Sequence, residues 1–429
     1  MRRRLFVLSL AAFDLLTLAA GWVIASVVVF DTAAVWRAPG RPGESIMPLL
    51  GLMVLGAVVG TYVSRRMWGS GVPRPTYGRA LAIVGGTVVF TALGIVFFRI
   101  YWSRPFFLVA SLVWAFGTLA HRAVRRRRPW TETMIVISGE KSLADDLRTS
   151  PHANVQHVYD PGGEPPSEQP MPGTTVVVDL RSILSEQMAQ FVSSCNIAGY
   201  RIRALIDVYE EHTGRLALIH LAEGWEISEP LSRSSGYAPF KRSGDFLLAL
   251  VTAPLWLPLG ALIWVAVRLD SRGPAIFKQR RTGYRGSAFT LYKFRTMYDE
   301  TRDEGPRFAH PEDDRVTRVG KVLRRFRVDE IPQMWNVLKG NLSLVGPRPE
   351  QQEFVARFNE SIPFYGYRHL VRPGLTGWAQ VSYGYADDEA DTIEKLTYDL
   401  YYVKHMSPWF DARVIGQSIW TVVSGFGAQ

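Results

Sequence analysis

Four apolar runs in the first 120 residues constrain this chain more than any other feature. Runs 5–30, 46–63 and 81–98 each reach roughly the 18 to 20 residues that a helix needs to cross a bilayer. Run 105–120 is shorter, but Arg104 and the stretch HRAVRRRR bound it, and it completes a sensible topology. Four transmembrane helices are therefore predicted within residues 1–129. Composition agrees, because 47% hydrophobic residues over 429 is too apolar for an ordinary cytosolic enzyme. The formal net charge is +10, and its basic clusters sit beside the apolar runs. Arg2 to Arg4, then Arg65, Arg66, Arg74 and Arg79, then Arg122 to Arg128 alternate with charge-poor loops. The positive-inside rule then puts the N-terminus and everything after residue 121 in the cytoplasm, and anionic lipid rather than nucleic acid explains the basic excess. No small-residue cleavage site precedes further spans, so the start does not read as a cleavable signal. Asp14 lies within the first span, where an acid is either functional or turned into the bundle interior.

Residues 130–232 change character. MIVIS, a helical stretch from Ser142, TTVVVDL, a helix over about 183–198 and RIRALID alternate strand with helix and predict a small α/β, Rossmann-like domain. After its first strand stands SGEKS, with one glycine where a pyrophosphate-binding turn needs several, so dinucleotide binding is not expected. PGGEPPSEQPMPG reads as a loop and LSRSSGYAPFKRS as the linker to the last domain. The single Cys195 excludes an intramolecular disulfide and reads as a small buried residue, and no CxxC or HxxxH spacing offers a zinc site.

Residues 246–267 are a fifth apolar segment long enough to cross, yet their flanks disagree with crossing. Lys241 and Arg242 precede it, and residues 268–298 carry eight basic residues against one acid, Asp270. Both ends ask for the same side. Pro254 and Pro258 interrupt the run, so a re-entrant helix over about 243–268 that bends near Pro258 is expected; a kinked spanning helix is the alternative.

The stretch RRFRVDEIPQMWNVLKGNLSLVGPRP then sets Asp329 beside Glu330. Ile331, Met334, Trp335 and Leu338 recur at helical spacing, Pro332 suits a first turn and Gly340 a stop, so the acids are expected at a helix N-terminus. Acids are common there without any chemistry. Their company argues for more: Arg324, Arg325 and Arg327 upstream, Lys293 and Arg295 in the strand KFRTM, and Arg348 in the GPRP turn. Such cations hold a polyphosphate, while paired carboxylates hold magnesium and present a nucleophile.

FKQRRTGYRG, LYKFRTM, RRFRVDEIPQMWNVLKGNLSLVGPRPE, RPGLTGWAQV and YDLYYVKHMS resemble the catalytic domain of the bacterial sugar transferase family, the monotopic phosphoglycosyl transferases. The resemblance covers about residues 238–429, and the four spans plus the α/β domain are similar in architecture to its large members. It implies membrane α plus α/β architecture, with a phosphoglycosyl transferase domain at 233–429 on the cytoplasmic face of the bacterial inner membrane. It further implies transfer of a sugar 1-phosphate from a UDP-sugar to undecaprenyl phosphate, with UMP released, as the priming step of exopolysaccharide, capsule or O-antigen synthesis. By motif, Asp329 is the implied nucleophile, forming a covalent phosphosugar intermediate, and Glu330 the implied ligand of Mg2+. Arg281, Lys293, Arg324 and Arg348 match basic positions of the motifs and are candidate phosphate or uridine contacts. The family's Ser-Pro bend corresponds here to Leu257 and Pro258, so the serine is absent and Pro254 shares the bending. Trp409, Ile415, Ile419, Trp420 and Phe426 give the C-terminus the look of an interfacial helix, and a homodimer is expected. A catalytically silent membrane scaffold is the contrasting reading, which UMP release separates from the first.

Overall fold

No proline interrupts the four N-terminal apolar runs beyond a first turn, where Pro48 and Pro105 lose no needed N–H, and each run folds as one helix. These are α1 (Arg2–Phe30), α2 (Met47–Met67), α3 (Tyr77–Phe98) and α4 (Arg104–Arg126). The computed structural model describes residues 2–31, 47–67, 77–98, 103–126, 131–218, 236–298, 315–383 and 389–424. Arg74, Arg127, Arg128, residues 231–235 of the expected linker and Phe426 lie outside them. The chain divides into two units, Met1–Thr213 and Gly214–Gln429.

In the first unit the four helices share a core that includes Leu18, Trp22, Met53, Ile83, Phe106 and Trp114. Leu16, Val28, Val58, Val96, Phe97 and Phe116 point outward and stay more than half exposed. An outer surface this apolar suits lipid rather than water. Among the described residues, Ala12–Phe30, Arg104–Val124 and Ala253–Asp270 are long and apolar enough to cross a membrane, whereas Met47–Thr61 and Ile83–Phe98 are shorter apolar stretches. Asp14 faces the bundle interior, where both its oxygens meet the Arg122 guanidinium at 2.9 and 2.5 Å. A buried acid is tolerable only with such a partner.

The α/β part of this unit is a parallel sheet in the order β2-β1-β3-β4, built from β1 (Glu132–Ile137), β2 (Ala153–Tyr159), β3 (Thr175–Val178) and β4 (Arg201–Ala204). Helices α5 (Lys141–Thr149), α6 (Glu186–Ile197) and α7 (Leu205–Thr213) alternate with the strands. Two details differ from expectation. Strand β2, polar at Asn154, Gln156 and His157, carries no apolar run to announce it. RIRALID is strand only to Ala204, because Leu205, Val208, Tyr209 and His212 recur at helical spacing and bury one face of α7.

The second unit begins at Gly214, ahead of the expected boundary at 233. Residues 214–218 belong to its core: Leu216 is buried among Phe358, Tyr365 and Leu396, and Gly214 accepts from Trp378 Nε1 at 2.8 Å. A chain that starts at Gly214 should therefore unfold at a higher temperature in detergent than one that starts at Tyr237. The shorter chain loses a fully buried leucine, whose removal typically costs about 2–5 kcal/mol. Equal melting midpoints would contradict this packing.

The fifth apolar segment folds as α8 (Ala238–Val251) and α9 (Ala253–Asp270), separated at Thr252. The helix is interrupted at Thr252, and Pro258, where the bend is expected, lies inside α9. Breaking at Thr252 places Pro254 in a first turn, where its missing N–H is harmless, and leaves Pro258 to remove a single bond from a continuing helix. Trp256 Nε1 donates to the Ala249 carbonyl across the break at 2.9 Å. Both ends are anchored in the same unit. Lys241 pairs with Asp411 at 2.5 Å, Arg242 donates to the carbonyls of Val337 and Leu338, and Asp270 accepts from the Val319 N–H. Between these anchors Leu247, Val251, Leu255, Leu257 and Leu262 are exposed.

The remainder is an antiparallel hairpin of β5 (Ile276–Thr282) and β6 (Ala288–Phe294), then α10 (Arg318–Arg325), a 3-10 turn (Val328–Glu330) and α11 (Gln333–Lys339). Strand β7 (Ser343–Val345) pairs in parallel with β8 (Gly374–Thr376). Helix α12 (Gln352–Ser361) lies between them in sequence, and α13 (Trp378–Ser382), α14 (Glu389–His405) and α15 (Pro408–Ser424) follow. Helix α15 buries Phe410 and Val414 and leaves Ile419 and Trp420 exposed, as an interfacial helix would.

Candidate active site

Asp329 and Glu330 do not cap α11; they occupy the 3-10 turn one step before it, entered through Arg327 at φ 53°. A left-handed non-glycine residue is uncommon, and such strain is concentrated at functional sites. The turn is held in place by a residue that the sequence reading did not single out. Asn336 of α11, fully buried, donates through Nδ2 to the Thr290 carbonyl and accepts through Oδ1 from the Tyr292 N–H, which stitches α11 to the edge of β6. Lys293 on that strand thereby reaches Glu330, Nζ to Oε1 at 3.1 Å.

The second cation arrives from the GPRP turn. Gly346 and Gly374 bring β7 and β8 so close that a Cβ on Gly346 would stand 2.3 Å from the Arg372 carbonyl, and one on Gly374 2.1 Å from the Gly346 nitrogen. Only glycine fits there. The chain then turns through Pro347, and Arg348 Nη2 meets the same Glu330 oxygen at 3.0 Å.

The two acids are consequently unlike. Glu330 is clamped between two cations, and although burial favours its neutral form, Arg348 and Lys293 outweigh burial and hold it well below the usual carboxylate range. Asp329 makes no hydrogen bond among the described residues. Burial pushes its carboxyl up, the Glu330 charge adds to that, and Lys293, Arg348 and Arg324 pull the other way. One carboxylate is fixed and ionised; the other has no hydrogen bond to fix it among the described residues.

Of the candidate phosphate contacts, Lys293 and Arg348 come together on Glu330. Arg324 lies within electrostatic reach of Asp329, with its Nε held by Thr296 Oγ1 at 2.9 Å. Arg281 touches neither acid; it bonds Gln279 and the Pro349 carbonyl. Arg295 is turned away as well, buried against the Ser271 carbonyl and hydroxyl. Among the described residues no group of three His, Cys, Asp or Glu could cage a metal. Lys293 and Arg348 both engage Glu330 through Oε1, and the other carboxylate oxygen fits magnesium shared with a substrate's phosphates, since magnesium is usually held by one or two acids plus phosphate oxygens and water.

Comparison with known proteins follows the same residues. The family profile described as bacterial sugar transferase matches residues 236–425. An Aeromonas hydrophila UDP-N-acetylgalactosamine-undecaprenyl-phosphate N-acetylgalactosaminephosphotransferase is 45% identical over 255 residues, which is 59% of this chain and 60% of the relative. An Escherichia coli UDP-glucose:undecaprenyl-phosphate glucose-1-phosphate transferase is 41% identical over 190 residues, 43% of this chain and 40% of that protein. A Caulobacter vibrioides enzyme of the latter description is 39% identical over 183 residues, 42% of this chain and 68% of its own length. The chain thus spans less than two thirds of the first two of these relatives.

Proposed function

The chain belongs to the bacterial sugar transferase family, and from that premise we propose that it transfers a sugar 1-phosphate from a UDP-sugar to undecaprenyl phosphate, with release of UMP. The observation that carries the chemistry is the division between the acids: Asp329 without a hydrogen bond among the described residues, and Glu330 locked by Lys293 and Arg348.

The Asp329 carboxylate attacks the phosphorus that carries the sugar. The bond from that phosphorus to the UMP oxygen breaks, and UMP leaves with the bonding pair. A phosphate oxygen of undecaprenyl phosphate then attacks the same phosphorus, breaks the aspartyl-phosphate bond and restores the carboxylate. Two displacements replace one difficult direct transfer. Lys293, Arg348 and Arg324 lie where they can offset charge on the transferring phosphoryl group. Glu330 would hold Mg2+, which would supply charge neutralisation of the diphosphate and the departing UMP, while Asp329 stays available for attack.

The donor and acceptor differ in phase, one soluble and one lipid-borne. The anchoring of both ends of the α8–α9 segment in one unit, with exposed leucines between, supports a helix that enters and leaves the cytoplasmic leaflet of the inner membrane. With Cys195 replaced, single cysteines at Ser243 and Arg272 should both resist an impermeant thiol reagent in intact cells. Labelling at Arg272 alone would show a spanning helix instead. The reading places the protein at the priming step of exopolysaccharide, capsule or O-antigen synthesis. UDP-glucose and UDP-N-acetylgalactosamine, the donors named for its relatives, begin the panel that tests it. UMP should be released with undecaprenyl phosphate and magnesium present. A folded, membrane-inserted protein that releases none from any UDP-sugar would instead be a scaffold.

A further inference from the structure

The turn that delivers Arg348 is gripped from outside at three consecutive carbonyls. The Arg348 oxygen accepts from Arg368 Nη2 at 2.9 Å, the Pro349 oxygen from Arg281 Nη1 at 2.9 Å, and the Glu350 oxygen from the Thr282 N–H at 3.0 Å. The Glu350 side chain draws the same cations together. Lys395 Nζ stands 2.8 Å from its carboxylate, Arg281 Nη1 3.5 Å and Arg368 Nη1 3.9 Å. Burial opposes this charge, yet Lys395, then Arg368, then Arg281 hold the Glu350 carboxyl down to about 2. Arg368 is itself almost fully buried, donates to Tyr365 Oη at 2.6 Å and pairs with Asp399 at 2.8 Å. Arg281 is steadied by Gln279, which accepts from its Nε and Nη2.

None of these groups meets Asp329 or Glu330, yet together they fix the backbone of a turn whose φ angles are already limited by Pro347 and Pro349. Arg348 has little freedom left except its own rotamer. We propose that Arg281, Arg368 and Glu350 form a clamp that aims Arg348 at the Asp329–Glu330 pair, acting as positioning residues rather than as phosphate ligands. The inference rests on the transferase reading given above. It gives Arg281 a role different from the phosphate contact expected of it, because its donors are taken up by Gln279, Pro349 and Glu350. Displacements near 1 Å at a charge-stabilising group can cost about 100-fold in rate, so a clamp remote from the chemistry matters.

The test is a double-mutant cycle on the full-length protein in lipid, reading kcat and KM for the UDP-sugar. Arg368→Lys and Arg281→Lys keep a charge beside Glu350 and lose the planar fork that reaches the carbonyl. Each should lower kcat by about 10- to 100-fold, with KM changed by less than about threefold. In an Arg348→Ala background each should cost less than about threefold more, because nothing remains to be aimed. Equal losses in both backgrounds, or a loss confined to KM, would overturn the clamp, the second outcome marking a direct substrate contact. If Arg368→Lys fails to fold, Arg281→Lys on the strand hairpin decides the matter alone. Arg348→Ala with undiminished kcat would instead remove the role given to Arg348 in the transferase reading, and the clamp with it.

Discussion

Asp329→Asn is expected to lower transfer from UDP-sugar to undecaprenyl phosphate by about four orders of magnitude or more, the usual scale for loss of a nucleophile. The amide keeps the size of the side chain and cannot form the phosphoryl bond. Asp329 makes no hydrogen bond among the described residues, so the fold should lose nothing and the melting midpoint should hold or rise. A rise is reasonable, because the change removes one of two adjacent buried charges. The same environment sets the pH dependence. Burial and the neighbouring Glu330 charge raise the Asp329 carboxyl above an ordinary aspartate, so the reactive anion is present above that raised value and lost as pH falls through it. The rate of the first step should therefore decline on acidification before a normal aspartate would titrate. Residual activity in Asp329→Asn within tenfold of the parent would assign the attack to another group.

Arg348→Ala should be the second most damaging change, costing about 100- to 1000-fold in kcat, as expected when one preorganised donor to a developing anion is removed. Two effects combine. The transferring phosphoryl group loses a cation, and Glu330 is left with Lys293 alone, so its carboxyl rises from its depressed position. The carboxylate stays ionised at neutral pH and has lost a competing cation, so the magnesium requirement should shift to lower concentration. Arg348→Lys keeps the charge without the planar guanidinium and should fall between the two. Steady-state kinetics across a magnesium titration distinguishes these cases, and an unchanged kcat with unchanged magnesium dependence would remove Arg348 from the site.

The local signals carried far in this chain, and partners distant in sequence did not. Helix length and apolar content exposed α1 to α4, and the spacing of Ile331, Met334, Trp335 and Leu338 exposed α11. Both signals lie within a few turns of chain. Asp14 was visible as an anomaly, but its partner Arg122 is 108 residues away and depends on how α1 and α4 align. The break at Thr252 instead of Pro258 reflects two prolines four residues apart, either of which could begin a helix. Composition does not choose between them. Arg281 matched a basic motif position, yet its use depends on Gln279 and the Pro349 carbonyl, a tertiary arrangement. Asn336 is a polar residue in an apolar helix, a detectable signal, since a buried amide in that place needs the backbone partners it finds on β6.

The most direct measurement is made without lipid acceptor: purified protein, magnesium and a UDP-sugar labelled in the phosphate next to the sugar. If Asp329 attacks first, about one UMP per active site should appear in a rapid burst and the labelled phosphosugar should remain on the protein. Adding undecaprenyl phosphate should then discharge that label into lipid. Asp329→Asn should show neither burst nor label. A protein that is fully active with acceptor, yet releases no UMP and retains no label until undecaprenyl phosphate arrives, would contradict the covalent mechanism and leave Asp329 as a base or metal ligand.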